Sequence, residues 1–418
     1  MSNKPVTTGA ETKDSKKLGV FSTAMIGIAF AISLNLFSAG TSYTASFSRS
    51  LIAIFITWIA LAAVWILFGL MGQMTGRSAA DIYRFSFGSK GYKIPSAIIV
   101  VCTVFWALFD YWYVGAAVRN MMPNNPDLGF AIGMLIITGA VILGIIKEIT
   151  SLKILSTLTV PIALILYIAI AIATISKVGG MEVIMNYVPP VETPIVTAVN
   201  MLFSVFISLS PGFPDITRDC KSKKAVIIGM SLAMLMVCIQ FVLAQIGYIG
   251  LGAIEFTSLA LSLGGAIFYI CNVFTIFGQA NTCPTCSFVV VQQAYALAKI
   301  PKKFVTFAQP IFACVMAFVL EYLADITIIS TWLSVISAVY GPLIGLLWAE
   351  FYVVRKTHLS DAEVHPGFSK SGIITLIVGF LLCVYLTYFA PFASPVALVG
   401  IAFGFIVQII LRKGFKLS

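Results

Sequence analysis

Apolar stretches about as long as a bilayer is thick follow one another along almost the whole chain, and the positive charges fall in every second gap between them. A hydrocarbon core of about 30 Å takes roughly 20 residues of helix. Twelve candidate spans of that order lie at 19–46, 51–74, 94–118, 128–146, 152–176, 196–213, 225–252, 263–298, 304–324, 327–353, 371–391 and 394–411. Lipid offers no partner for a backbone amide, so each span is expected to be helical and the fold class an all-α integral membrane protein. Composition agrees: 60% hydrophobic and 10% charged residues, with a mean hydropathy of +1.02, do not suit a soluble domain.

With the N-terminus in the cytoplasm, the inner segments hold Lys4, Lys13, Lys16 and Lys17; Arg77, Arg84, Lys90 and Lys93; Lys147 and Lys153; Arg218, Lys221, Lys223 and Lys224; Lys299, Lys302 and Lys303; Arg355, Lys356 and Lys370; and Arg412, Lys413 and Lys416. Only Arg49, Arg119 and Lys177 of the 26 basic residues remain outside. That asymmetry sets the orientation, and an even number of spans returns the C-terminus to the cytoplasm. The formal charge of +10 then reflects topology in a plasma (cytoplasmic) membrane and contact with anionic lipid, not a nucleic-acid partner. The polar first eighteen residues lack an apolar core followed by a cleavage site, so no cleaved signal peptide is expected.

The expected organisation is a cytoplasmic tail (1–18), a first five-helix repeat (19–176), an external loop (177–195), a second repeat (196–353), a cytoplasmic loop (354–370), helices 11 and 12 (371–411) and a short tail (412–418). The last two spans carry no site signal and are expected only to contact lipid or another copy.

Several chemistries are excluded. The eight cysteines, Cys283-Pro-Thr-Cys286 among them, lie in spans or on the inner side, which suits core packing better than disulfides or redox work. His358 and His365, the only histidines, share one cytoplasmic loop, so no transition-metal site or intramembrane histidine relay is expected. No phosphate-binding glycine loop offers ATP-driven pumping. An enzyme would need a paired base and nucleophile at membrane depth, and none is visible, which leaves an intramembrane enzyme or a non-transporting receptor as a minor alternative.

Two spans are interrupted. The sixth reads Phe206-Ile-Ser208-Leu-Ser-Pro211-Gly-Phe-Pro214-Asp215, where two prolines remove donors and stop the helix within the membrane. The first carries Ser33-Leu-Asn35-Leu-Phe-Ser38-Ala-Gly40. In two repeats of five these positions match, and matched broken helices are the sequence pointer to a transport site, although kinks supported by neighbouring helices give the same pattern. Asp110 lies mid-span, four residues from Trp106 and so on one face with it. A carboxylate at that depth costs on the order of 2.5–3.5 kcal/mol unless it meets a cavity or a partner. An aromatic plate beside it suits a flat solute bearing N–H groups; a carboxyl held by interhelical hydrogen bonds is the plainer reading. Asp215 and Glu350 at inner ends, and Glu321 and Asp325 at an outer end, are expected to be solvated or paired with nearby Arg and Lys.

The loop Gly76–Gly91, with its core Arg84-Phe-Ser-Phe-Gly88, continues through Pro95 and Ser96 to Trp106. Together with Asp215-Ile-Thr-Arg218 and Gly341-Pro342 leading to Ala349-Glu350, it resembles the nucleobase:cation symporter 1 family, most closely its cytosine permease-like and purine/cytosine permease members. The resemblance runs through about the first ten spans. It implies the amino acid-polyamine-organocation superfamily fold: two inverted five-helix repeats with discontinuous helices 1 and 6, plus two peripheral helices. It also implies alternating access and import of a nucleobase or related heterocycle, cytosine or a purine first, in symport with sodium or a proton.

Carried over by residue, Trp106 and Phe206 match stacking aromatics, Ser208 stands beside the second, and Asp110 falls at a polar substrate contact. Ser33 and Asn281 complete the expected substrate set. Gly27 and Phe30 match backbone carbonyls that coordinate sodium. Span eight departs from the family: one alignment puts Asn281 and Thr285 at cation ligands and Pro284 where a hydroxyl is expected, whereas the other puts Gln279 and Ala280 there. Sodium is the expected coupling ion, with a proton on Asp110 as the alternative, and no other cofactor is expected. Another nitrogenous solute on the same scaffold, a vitamin, amine or amino acid, is the alternative cargo; an amino acid would bring its carboxylate against Asp110.

Overall fold

The computed structural model describes residues 17–323, 328–390 and 395–417. Lys4, Lys13, Lys16 and Asp325 lie outside these residues. Ten helices among the described residues are long and apolar enough to cross a membrane. The two remaining candidate spans are occupied by α1 (Val20–Ala31) with α2 (Asn35–Gly40), and by α13 (Gly265–Ala298). The chain is helical nearly throughout, as its hydropathy requires.

Two groups of helices pack within themselves. In the first, α1 and α2 lie on α11 (Lys223–Leu251), which packs on α3 (Phe47–Thr75), which in turn meets α9 (Ile195–Ile207). In the second, α5 (Lys93–Met121), α6 (Pro126–Ile145), α13 and α14 (Lys302–Leu323) form one block. Between the groups, α7 (Ile149–Val178) touches α1, α11 and α13. Short helices α4 (Ala79–Gly91), α8 (Met181–Met185), α10 (Pro214–Thr217) and α12 (Phe256–Leu263) lie in the connections.

Both breaks expected from the sequence are present. After α1, Ile32 turns to φ −83°, ψ 82°, and α2 starts only at Asn35. After α9, the chain passes through a 3-10 turn at Ser210–Gly212 into α10, whose first residue is Pro214. The two breaks thus fall in the first and the sixth of the expected spans.

The inner face departs from expectation at two carboxylates. Asp215 is fully buried rather than solvated; its oxygens accept the Ala79 amide (3.0 Å) and Gln293 Nε2 (2.6 Å), while Arg218 turns to Gln292 (3.4 Å). The start of α4 covers α10 there, so a peptide N–H and an amide replace water. Glu350 is paired with arginine as expected, but it is buried: Arg355 (2.8 Å) and Arg412 (3.2 Å) bind it together with Gln408 (3.0 Å). At the outer end, Glu321 accepts Arg119 (2.6 Å) and the Trp112 indole (2.5 Å).

The last helices do more than meet lipid. Gln408, within α17 (Val396–Ile409), and Arg412, just beyond it, hold Glu350, which follows α15 (Ile328–Trp348). Close backbone approach makes the rest of this joint. A Cβ at Gly345 would lie 2.0 Å from the Ile401 carbonyl, and one at Gly404 would lie 2.4 Å from that of Pro342. Small residues let helices approach where lipid supplies no hydrophobic drive between them. Gly345→Val is therefore expected to separate α15 from α17 and destabilise the protein by about 1–3 kcal/mol, read as a lowered thermal midpoint in detergent; an unchanged midpoint would contradict this packing.

Candidate functional site

The chain between α1 and α2 leaves carbonyls without helical partners, and each must find one inside the protein. Thr282 Oγ1, from α13, lies 2.5 Å from the Ile32 carbonyl and 3.3 Å from those of Ala29 and Phe30. Gln240, from α11, donates to the Ala31 carbonyl at 2.6 Å. At the second break the Trp65 indole serves the Phe206 carbonyl (3.2 Å), and the Tyr83 hydroxyl serves that of Pro211 (2.5 Å).

The breaks face a small, partly open cavity. Phe30, Ser33, Asn35, Val205, Phe206 and Leu209 line it from the first group, and Trp106, Asp110, Thr282 and Cys286 from the second. It is therefore shared between two blocks that pack separately. Phe206 belongs to an aromatic cluster, its ring 5.1 Å from Phe30 and 5.8 Å from Trp65, with Trp65 edge-on to Phe213 at 4.4 Å. The Trp106 indole N–H donates to Ser208 Oγ at 3.1 Å.

Asp110 is 1% exposed. Asn35 Nδ2 donates to its Oδ1 at 2.8 Å, and Ser33, Gln279 and Cys283 face the same carboxylate. All four are uncharged hydrogen-bonding groups. Gln279 is fully buried, and neither of its amide atoms completes a hydrogen bond of good geometry.

The structure brings Trp106, Asp110, Phe206, Ser33 and Phe30 to one cavity. Ser208 stands behind it as acceptor for the Trp106 indole. Asn281 and Thr285 lie on another face of α13: Asn281 Oδ1 accepts Thr159 of α7, its Nδ2 donates to Phe277 (2.8 Å), and Thr285 reaches the Asn281 carbonyl (3.5 Å). Gly27 packs on α11, where a Cβ would meet Ala233 Cβ at 3.1 Å and the Gly229 carbonyl at 3.2 Å. Sequence reasoning missed Thr282, the direct Asn35–Asp110 bond and the cavity position of Cys286. A signal existed: Gln279, Thr282, Cys283 and Cys286 recur at helical spacing and form a small polar stripe in an apolar helix.

Hydrogen bonds join the two groups at both ends of the cavity. At one, Ser38 of α2 and Tyr113 of α5 share a hydrogen bond (3.2 Å). At the other, Asp215 is held by Gln293 of α13. Hydrogen bonds to a charged group are worth about 1.5–3 kcal/mol. Gln293→Leu should weaken the inner tie and raise labelling of Cys220, now buried beside Thr23, by a membrane-permeant maleimide about tenfold; unchanged labelling would show that this tie does not hold the inner side.

Residues 10–408 match the family described as permease for cytosine/purines, uracil, thiamine, allantoin. The chain is 25% identical to the cytosine permease of Escherichia coli K12 over 242 residues, a match spanning 57% of each protein. It is 22% identical to the hydantoin permease of Microbacterium maritypicum, with 86% of this chain and 77% of that protein covered. Its fold is shared with Mhp1, a nucleobase-cation-symport-1 family transporter, in a closed conformation with bromovinylhydantoin bound (TM-score 0.80, 16% identity, 97% and 94% covered). It is shared as well with a sodium-coupled sialic acid symporter (TM-score 0.69, 13% identity, 96% and 91% covered). Broken helices about a shared cavity and a family match over nearly the whole chain agree: this is a multi-pass membrane transporter, not an enzyme, and it belongs to the cytosine/purine permease family, the nucleobase:cation symporter 1 family.

Proposed function

We propose that the protein imports a nucleobase or a related planar heterocycle across the plasma membrane, with both termini in the cytoplasm, in symport with sodium and by alternating access. One observation carries the reading: two broken helices meet at a cavity that holds the Trp106 and Phe206 rings and a buried carboxylate, and the cavity is shared between separately packed helix groups. A flat ring would lie against the aromatics and present its N–H edge to Asp110, with Ser33 beside it. Ser208 acts as a positioning residue that fixes the indole. The named cargoes of relatives, cytosine and hydantoin, are flat rings of this kind. An amino acid fits less well, because its carboxylate would meet that of Asp110.

For the ion, carbonyls of α1 and the Thr282 hydroxyl supply a cluster of oxygens of the kind a hard cation prefers. Thr282 joins Gly27 and Phe30 in the cation site proposed here, while Asn281 braces α13 against α7 through Thr159 and Thr285 bonds within its own helix. Solute and ion bound at one pair of broken helices would favour the closed form together, which is the coupling. A proton-coupled reading rests on the burial of Asp110 among neutral partners.

Uptake of labelled cytosine into proteoliposomes separates these readings. Accumulation driven by an imposed sodium gradient supports the carbonyl–Thr282 site; accumulation driven by a proton gradient alone moves the coupling to Asp110. Trp106→Ala is expected to abolish saturable uptake while the protein still reaches the membrane. Thr282→Val is expected to raise the sodium concentration needed for half-maximal uptake about tenfold or more. Full transport by the Trp106 variant would overturn the site.

A further inference from the structure

Asp110 stands out chemically because every side chain facing it is neutral. A buried carboxylate without a cationic partner is costly and leaves acceptor capacity to be filled. Asn35 takes part of one oxygen: its amide donates to Oδ1 at 2.8 Å, which fixes the plane of the carboxylate. Gln279, which faces the same carboxylate, is fully buried, and neither of its amide atoms completes a hydrogen bond of good geometry, a second sign of a cluster built around an occupant.

The donor and acceptor pattern of the side chain restricts that occupant. A carboxylate presents two acceptors and no donor, whereas an amide presents one of each. Two acceptors side by side complement a ring edge with two adjacent donors, an exocyclic amino group next to a ring N–H. Guanine and isocytosine carry that edge as neutral rings. Aminopyrimidines carry it once their ring nitrogen is protonated, and the carboxylate then balances the charge. A lactam or imide edge, as in uracil or xanthine, sets a carbonyl oxygen beside each N–H and brings lone pairs against the carboxylate. An amide would accept that edge.

Resting on the transport reading above, we infer that Asp110, oriented by Asn35, is the specificity-determining residue of the cavity and selects heterocycles with an amino group beside a ring N–H over rings of the same size that carry a carbonyl in place of that amino group. Trp106 and Phe206 contribute to every ring alike, because stacking does not distinguish an amino group from a carbonyl. The discrimination therefore belongs to one side chain, and changing its hydrogen-bonding pattern changes the preference. In Asp110→Asn, Asn35 continues to donate to the remaining oxygen, and the new NH2 group is turned towards the ligand as a donor.

Two isosteric pairs test this by calorimetry on the purified full chain in sodium-containing buffer: isocytosine against uracil, and guanine against xanthine. The wild-type protein is expected to bind the amino member of each pair about tenfold or more tightly, since a mismatched buried polar edge is strongly rejected. In Asp110→Asn the ratio is expected to fall to near one or to reverse. Asn35→Ala, which keeps the carboxylate and frees its orientation, is expected to lower the ratio while all ligands still bind. It decides the matter if Asp110→Asn fails to elute as a single folded species. Equal or tighter binding of uracil and xanthine by the wild type, or an unchanged ratio in the variants, would overturn the inference alone. Binding of cytosine but of none of the four rings would overturn the inference alone, whereas binding of none of the five would overturn the substrate reading of the cavity, and this inference with it.

Discussion

The structure depends on satisfying backbone polarity where helices break inside a membrane. A broken helix exposes carbonyls and amides that lipid cannot serve, so side chains from other helices must reach in. Thr282 and Gln240 do so at the first break, and Trp65 and Tyr83 at the second. Each partner comes from a different element, so the breaks organise the helices around them. The same carbonyls, partly served by a hydroxyl, are the ones proposed above to hold the cation.

The second constraint follows from dividing the bilayer-spanning helices into two packed groups. Within a group, most contacts are apolar and close; between groups, α1 and α7 pack on α13, and polar ties such as Ser38–Tyr113 and Asp215–Gln293 join the groups on either side of the cavity. The buried Glu350 with its two arginines anchors α17 to α15, and removing one partner would leave buried charge unpaired.

The contrast between Thr282 and its neighbours on α13 shows how one helix divides its work. Asn281 turns to Thr159 of α7 and Thr285 bonds back to the Asn281 carbonyl, while Gln279, Thr282, Cys283 and Cys286 turn to the cavity and to Asp110. The polar residues of this helix therefore serve two different neighbours. The cysteines, which resemble a redox motif in the sequence, are free and buried and take the place of small cavity-facing residues.

The amino-acid sequence by itself determined the helical spans and the positions of both breaks, and it singled out Trp106, Phe206 and Asp110, which the fold brings to one cavity. These are local or periodic signals: hydropathy over a bilayer thickness, prolines that remove donors, an isolated charge in an apolar run. It left open which polar residues of α13 face α1, because an insertion of one position rotates a helix by about 100° and two alignments were equally consistent with the family. It could not disclose that Asn35 orients Asp110, that Ser208 holds Trp106 or that Asp215 is sealed beneath α4, since these contacts join residues far apart in the chain. Only the tertiary structure decided them, because where a side chain points in a bundle is fixed by the neighbours that pack against it.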